Sequence, residues 1–130
     1  MIGIVIVAHG GLAREYLAAV EHVVGKQAGV RTVSIEGDFD RAGKEAEIRA
    51  AANDVDIGEG VVVVTDMYGG SPSNLSFCAR GPKNRRFLHG ANLPMLIKLA
   101  KCRCKSVGEA ADCALAAGRK YIDISDGTTG

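Results

Sequence analysis

The chain has 130 residues, 47% of them hydrophobic and 24% charged, with a net charge of +1 and no Trp. That is enough apolar chain for one packed core, and a charge so near zero argues against a dedicated nucleic-acid binder. The four cysteines, Cys78, Cys102, Cys104 and Cys113, form no paired C-x-x-C framework, and no apolar run reaches the ~18–20 residues of a membrane helix, so a disulfide scaffold and direct membrane insertion are both excluded.

The N-terminus runs straight into Ile2–Ala8, a short, β-branched apolar stretch ending in Gly10-Gly11. It reads as a buried parallel strand, without the basic n-region or cleavage site of a signal peptide. A soluble cytoplasmic protein with reduced thiols is expected. From Leu12 to Gly25 the apolar residues Leu12, Tyr16, Ala19, Val20, Val23 and Val24 follow helical spacing. Val30–Ile35 is a second strand, and Asp40 is a candidate cap for a polar helix reaching Asn53. Gly60–Thr65 is the clearest strand, closed by Asp66. Ser71 before Pro72 predicts a helix start, with Ser71 as N-cap, running to about Arg80 before Gly81-Pro82 breaks it. Arg86–Leu88 is a short strand ending near His89-Gly90. Leu93–Cys102 and Val107–Ala117 are helices, Tyr121–Ile124 is a last strand, and Asp126–Gly130 is a frayed tail.

This alternation predicts an α/β domain over residues 1–130: a doubly wound, mostly parallel sheet of order 2-1-3-4 with helices on both faces. No repeat, linker or low-complexity segment divides it. Charge is uneven along the chain. Met67 to Gly108 contains no Asp or Glu but carries Arg80, Lys83, Arg85, Arg86, Lys98, Lys101, Arg103 and Lys105. A basic surface follows, either simply solvated or shaped for an acidic partner.

Ligands in doubly wound sheets bind beyond the carboxyl ends of the strands, where strand order reverses. Here that point lies between strands 1 and 3, which end in Ala8-His9-Gly10 and Thr65-Asp66. Neighbouring strands lie ~4.8 Å apart, so the His9 imidazole and the Asp66 carboxylate come within hydrogen-bonding reach. A carboxylate on one ring nitrogen fixes the tautomer and leaves the other nitrogen as a nucleophile. Beside them, Gly69-Gly70-Ser71-Pro72 opens a helix whose first N–H groups, with the Ser71 hydroxyl, form an anion cradle. The combination suits transient capture of a phosphoryl group. His22, mid-helix, reads as structural. His89 ends strand 4 on the same sheet edge and is a candidate accessory to the site. Neither a metal site nor a cofactor is indicated.

Three stretches carry a resemblance: Ile-Val-Ile-Val-Ala-His9-Gly, Thr65-Asp66-Met67-Tyr68-Gly69-Gly70-Ser71-Pro72 and Gly90-Ala91-Asn92-Leu93-Pro94-Met95-Leu96. In order and spacing they resemble the IIA domain of the mannose family of the bacterial phosphoenolpyruvate-dependent sugar phosphotransferase system (PTS), over essentially the whole chain. The resemblance implies that His9 is phosphorylated by phospho-HPr and passes the group to a IIB domain, with Asp66 orienting the ring and Ser71 in the phosphate cradle. It also implies a homodimer in which the last strand, matched by Tyr121–Ile124, is exchanged; Gly118-Arg119-Lys120 would be the hinge. Two features depart from the family. The position of His89 usually carries a small residue, and no IIB domain or linker follows, so a separate IIB protein is the expected acceptor. The alternative is a stand-alone regulatory module whose His9 phosphorylation state controls a protein partner. An aspartyl receiver would need acids after strand 1, where Ala8-His9-Gly10 stands. A dinucleotide enzyme would need G-x-G-x-x-G in the first turn.

Overall fold

A computed structural model describes residues 1–81 and 84–128. Four strands, β1 (Gly3–His9), β2 (Val30–Ile35), β3 (Val61–Thr65) and β4 (Arg85–His89), form one sheet in the order β2-β1-β3-β4. Every pairing is parallel. The helices are α1 (Leu12–Val24), α2 (Arg41–Val55), α3 (Ser71–Ser76), α4 (Leu93–Lys101) and α5 (Val107–Lys120), with a 3₁₀ turn at Phe77–Ala79. The predicted α/β class and the 2-1-3-4 order are the observed ones. None of the described helices is long and apolar enough to cross a membrane.

The central strands are apolar on both faces because both faces are covered. Side chains alternate across the sheet with a period of two. Ile2, Ile4, Ile6, Ala8, Val62, Val64 and Leu88 join the core shared with α1, α4 and α5. Val5, Val7, Val33, Ile35, Val61 and Val63 join the core beneath α2, α3 and the 3₁₀ turn. Each aliphatic side chain fully buried in this way contributes roughly 1.5–3 kcal/mol relative to exposure.

Capping residues set most helix starts. Asp40 accepts the Gly43 N–H, Asn92 the Met95 N–H and Ser106 the Glu109 N–H. Helix α3 departs from expectation. Its N-cap is Gly70, and Ser71 is the first helical residue. Gly70 supplies the carbonyl that accepts the Asn74 N–H, so the helical hydrogen-bond ladder begins one residue before Ser71. The Ser73 hydroxyl serves the turn instead: it accepts the Gly69 N–H and donates to the Gly70 carbonyl.

Two further expectations are corrected. Tyr121–Ile124 forms no strand in the single chain, and Tyr121, Ile122 and Ile124 stand exposed. Leaving α5, this segment meets no sheet edge of its own chain. The expected hinge residues Gly118-Arg119-Lys120 lie inside α5, which runs three residues beyond Ala117. The expected basic surface is also divided. Arg85 and Arg103 are buried, Arg80 lies over the Phe77 ring, and Lys83 falls outside the described residues, as do Pro82, Thr129 and Gly130.

Arg103 shows why an arginine can be internal. Its guanidinium donates to the carbonyls of Ile2, Ala28 and Gly29 and to the Gln27 side chain, tying the segment after α4 to the entries of β1 and β2. Burial pulls its pKa below the ordinary value. Its partners are carbonyl oxygens rather than a carboxylate, so the residue acts as a clamp, not half of an ion pair. Arg103→Met keeps most of the bulk and removes every donor. It should lower stability by about 2–4 kcal/mol, because the buried Ile2 carbonyl and the part-buried Ala28 and Gly29 carbonyls all lose a charged donor. The midpoint of urea unfolding should fall at unchanged slope. A loss below about 0.5 kcal/mol, the range of ordinary surface substitutions, would show the clamp to be dispensable.

Candidate functional site

The carboxyl ends of β1, β3 and β4 lie side by side. Parallel register sets Val7 against Thr65 and Thr65 against His89. His9 continues the Val5–Val7 row, Thr65 continues Val61–Val63, and His89 continues Arg85–Phe87. Alternation therefore places all three on the sheet face covered by α2 and α3.

His9 and Asp66 form a close polar pair there. His9 Nδ1 lies 2.7 Å from Asp66 Oδ2, and the same oxygen accepts the His9 backbone N–H at 3.0 Å. An ionised carboxylate can only accept, so Nδ1 carries the proton and Nε2 keeps its lone pair. The histidine side chain is 48% exposed and the aspartate side chain 9%: the carboxylate is shielded while the ring remains open to an incoming group. Among the described residues, Asp66 Oδ1 is buried without a hydrogen-bond partner. The carboxylate thus commits its bonding to the histidine.

The loop after Asp66 closes over the ring. Gly69 takes a left-handed φ of +86°, which favours glycine. A Cβ on Gly70 would stand 3.2 Å from His9 Cε1 and 3.2 Å from Met67 Cγ, a tight fit that any larger residue would meet only by displacing those side chains by a few tenths of an ångström. The predicted anion cradle is only partly available, because the Gly69 N–H is donated to Ser73 Oγ at 2.9 Å. Gly70, the N-cap of α3, adjoins the histidine, and Ser71 follows it in the first turn.

The second histidine at this edge has a different setting. Thr65 Oγ1 lies 2.7 Å from His89 Nδ1 and 3.5 Å from the Met67 carbonyl. The Tyr68 and Phe77 rings meet the His89 ring edge-on, at centroid distances of 5.0 and 5.8 Å. Burial lowers the pKa of His89 below the ordinary histidine value. Thr65, Tyr68 and Phe77 were not picked out from sequence. The signal was nonetheless present: Thr65 is the polar end of an otherwise all-valine strand, and aligning the two strands at their carboxyl ends sets it beside His89. His22 stands exposed in the last turn of α1, away from the site.

Fold and site together define a doubly wound α/β domain that holds an imidazole–carboxylate pair at the reversal of strand order. The profile of the EIIA-man family, described as PTS system fructose IIA component, matches residues 3–115. The chain belongs to that family: it is a mannose-family IIA domain of the sugar phosphotransferase system, a phosphotransferase component. Among solved structures it is similar to the mannose/sorbose specific IIA subunit from Enterococcus faecalis, at 28% identity and TM-score 0.85, with 96% of this chain and 95% of that one covered. It is also similar to the phosphotransferase system component EIIA from Streptococcus agalactiae, at 27% identity and TM-score 0.79 over 95% and 97% of the two chains. The PTS IIA protein associated with the fucose utilization operon from Streptococcus pneumoniae shares the fold, at 24% identity and TM-score 0.73 over 87% and 88%. No curated protein sequence matches the chain.

The imidazole–carboxylate geometry is testable without any partner. Nitrogen-detected NMR of the neutral His9 ring should show the Nδ1–H tautomer. Asp66→Ala removes the acceptor and should yield a mixture of tautomers at the same pH. A ring that keeps a single tautomer in that variant would mean that something other than Asp66 orients it.

Proposed function

We propose that the chain is a cytoplasmic phosphohistidine carrier, which accepts a phosphoryl group from phospho-HPr on His9 and passes it to a separate IIB protein in sugar uptake. The observation that carries this reading is the 2.7 Å contact between His9 Nδ1 and Asp66 Oδ2 beside a half-exposed ring. The Nε2 lone pair attacks phosphorus as the bond to the donor's ring nitrogen breaks, and the electron pair of that bond returns to the donor. Positive charge develops on the His9 ring, and Asp66, already bonded at Nδ1, stabilises it in place. Gly70 lets the backbone approach, and Gly69, Gly70 and Ser71 flank the entering oxygens. Such transfer depends mainly on positioning and on charge stabilisation, which this arrangement supplies. Onward transfer to IIB reverses the same steps. Free cysteines throughout the described residues and helices too short to cross a membrane fit a cytoplasmic location.

The chain should take up one phosphoryl group, read by intact mass, on incubation with phosphoenolpyruvate, enzyme I and HPr, and lose it when a IIB protein is added. His9→Ala should take up none while keeping its fold. Asp66→Asn should label roughly ten- to a hundredfold more slowly, the scale of a misplaced reacting group. Full labelling of His9→Ala would overturn the assignment, and so would an acid-stable, base-labile linkage, because phosphohistidine is acid-labile. Labelling that no IIB protein drains would favour the regulatory alternative.

The working form is a homodimer that exchanges residues 121–124. Tyr121, Ile122 and Ile124 are 64%, 74% and 90% exposed, more apolar surface than a solvated tail needs, while β4 is an edge strand open to a further partner. Exchange would cover both at little cost. Deleting residues from Tyr121 onward should turn a dimer into a monomer on sizing at micromolar concentration. A truncated protein that remains a dimer would place the interface elsewhere.

A further inference from the structure

We propose that His89 is a positioning residue for the His9 site: it fixes the 66–70 loop through Thr65 and Tyr68, and releases that loop when its ring gains a proton. The proposal rests on His9 as the phosphoryl acceptor for its kinetic consequence, but not for the structural coupling itself.

The coupling runs through one hydroxyl. Thr65 ends β3, and the next residue is Asp66, the partner of His9. Its Oγ1 has a single proton and two acceptors in reach, His89 Nδ1 at 2.7 Å and the Met67 carbonyl at 3.5 Å. In the proposed neutral arrangement Thr65 donates to an unprotonated Nδ1 and the His89 ring carries its hydrogen on Nε2. The Tyr68 ring, one residue past Met67, stands edge-on to the same imidazole, and Phe77 closes another side. His89 thus touches both ends of the peptide stretch that carries Asp66 and leads into Gly69 and Gly70.

Protonation reverses the direction of the key bond. Nδ1 becomes a donor, Thr65 Oγ1 must accept, and the hydroxyl proton must turn toward the Met67 carbonyl, where the present 3.5 Å contact lies at the limit of a hydrogen bond. Shortening that contact moves the backbone between Asp66 and Tyr68. Among the described residues, the titratable and charged groups on the elements about the ring are His9 at the end of β1, Asp66 after β3, Tyr68 in the loop, and Arg80, whose guanidinium lies 5.2 Å from the centroid of the Phe77 ring on the 3₁₀ turn. Burial, not a neighbouring charge, lowers the pKa of His89, so the neutral arrangement holds near neutral pH and gives way on acidification.

His89→Asn tests this, because the asparagine side chain offers an acceptor near the Nδ1 position and cannot titrate. In the unphosphorylated protein, the backbone amides of Gly69 and Gly70 should shift with the His89 ring resonances during an NMR pH titration, and should lose that step in His89→Asn. Amides that stay flat through the titration of His89 would overturn the proposal, whatever the fate of His9 as acceptor. In the labelling assay at pH 8, His89→Asn should keep the wild-type rate within about twofold and His89→Ala should fall about tenfold. Toward acid, wild type should lose rate through one protonation more than His89→Asn. Superimposable acid limbs, or an asparagine variant as slow as the alanine one, would show that His89 serves packing alone.

Discussion

Parallel pairing between β1 and β3 is the constraint on which the site depends. Both strands are buried on two faces, so their side chains have no solvent side on which to tolerate an error. A slip of one residue would carry Val5 and Val7 into the core occupied by Ile4 and Ile6, and would reverse His9 with them. The register Gly3↔Val61 through Val7↔Thr65 leaves His9 extending past the end of its partner, next to Asp66. The same apolar burial that stabilises the sheet therefore brings the imidazole to the carboxylate. Asp66 Oδ2 then accepts two bonds from one residue, through the backbone and through the ring, which fixes position and orientation together.

Arg103 and Asn92 join elements at opposite ends of the sheet. Arg103 clamps the entries of β1 and β2 at the amino end of the sheet. At the carboxyl end, Asn92 caps α4 while its side-chain amide donates to the Gly118 carbonyl at 2.9 Å, joining α4 to α5. Neither residue approaches the reacting atoms. Each satisfies backbone groups that burial would otherwise leave unpaired, which is what polar side chains inside an α/β domain are selected to do.

The sheet was legible in the sequence because its signals are local. Ile2–Ala8 and Gly60–Thr65 are unbroken apolar runs of strand length, and strand order then follows from how such sheets wind. The His9–Asp66 pairing came from the same reasoning. Features that depend on a distant partner were not legible. Tyr121–Ile124 has strand-like composition, but a strand exists only where it reaches an edge to pair with, and on leaving α5 this segment pairs with neither edge of its own sheet. Arg85 and Arg103 looked like surface charge because sequence does not show that backbone carbonyls and Asn53 line their pockets. The start of α3 was misplaced by one residue because Ser-Pro is a sound capping signal locally, and the choice of Gly70 was made by the Ser73 hydroxyl folding back over the turn.

Two histidines at one sheet edge have different chemistry because of the oxygens that face them. A carboxylate faces His9. It can only accept, it favours the ring that carries positive charge, and the half-exposed position lets that charge reach solvent. A hydroxyl faces His89. It can donate to a neutral ring, but it brings no negative charge to balance a positive one, and partial burial beside the aromatic rings disfavours the charged form. The first environment suits a nucleophile that must pass through a cationic phosphorylated state. The second holds a ring neutral and uses it as a strut. Exchanging the partners alone, a hydroxyl at Asp66 and a carboxylate at Thr65, would invert the roles before any backbone moved. The division of labour at this edge is therefore written in the adjacent pair Thr65-Asp66.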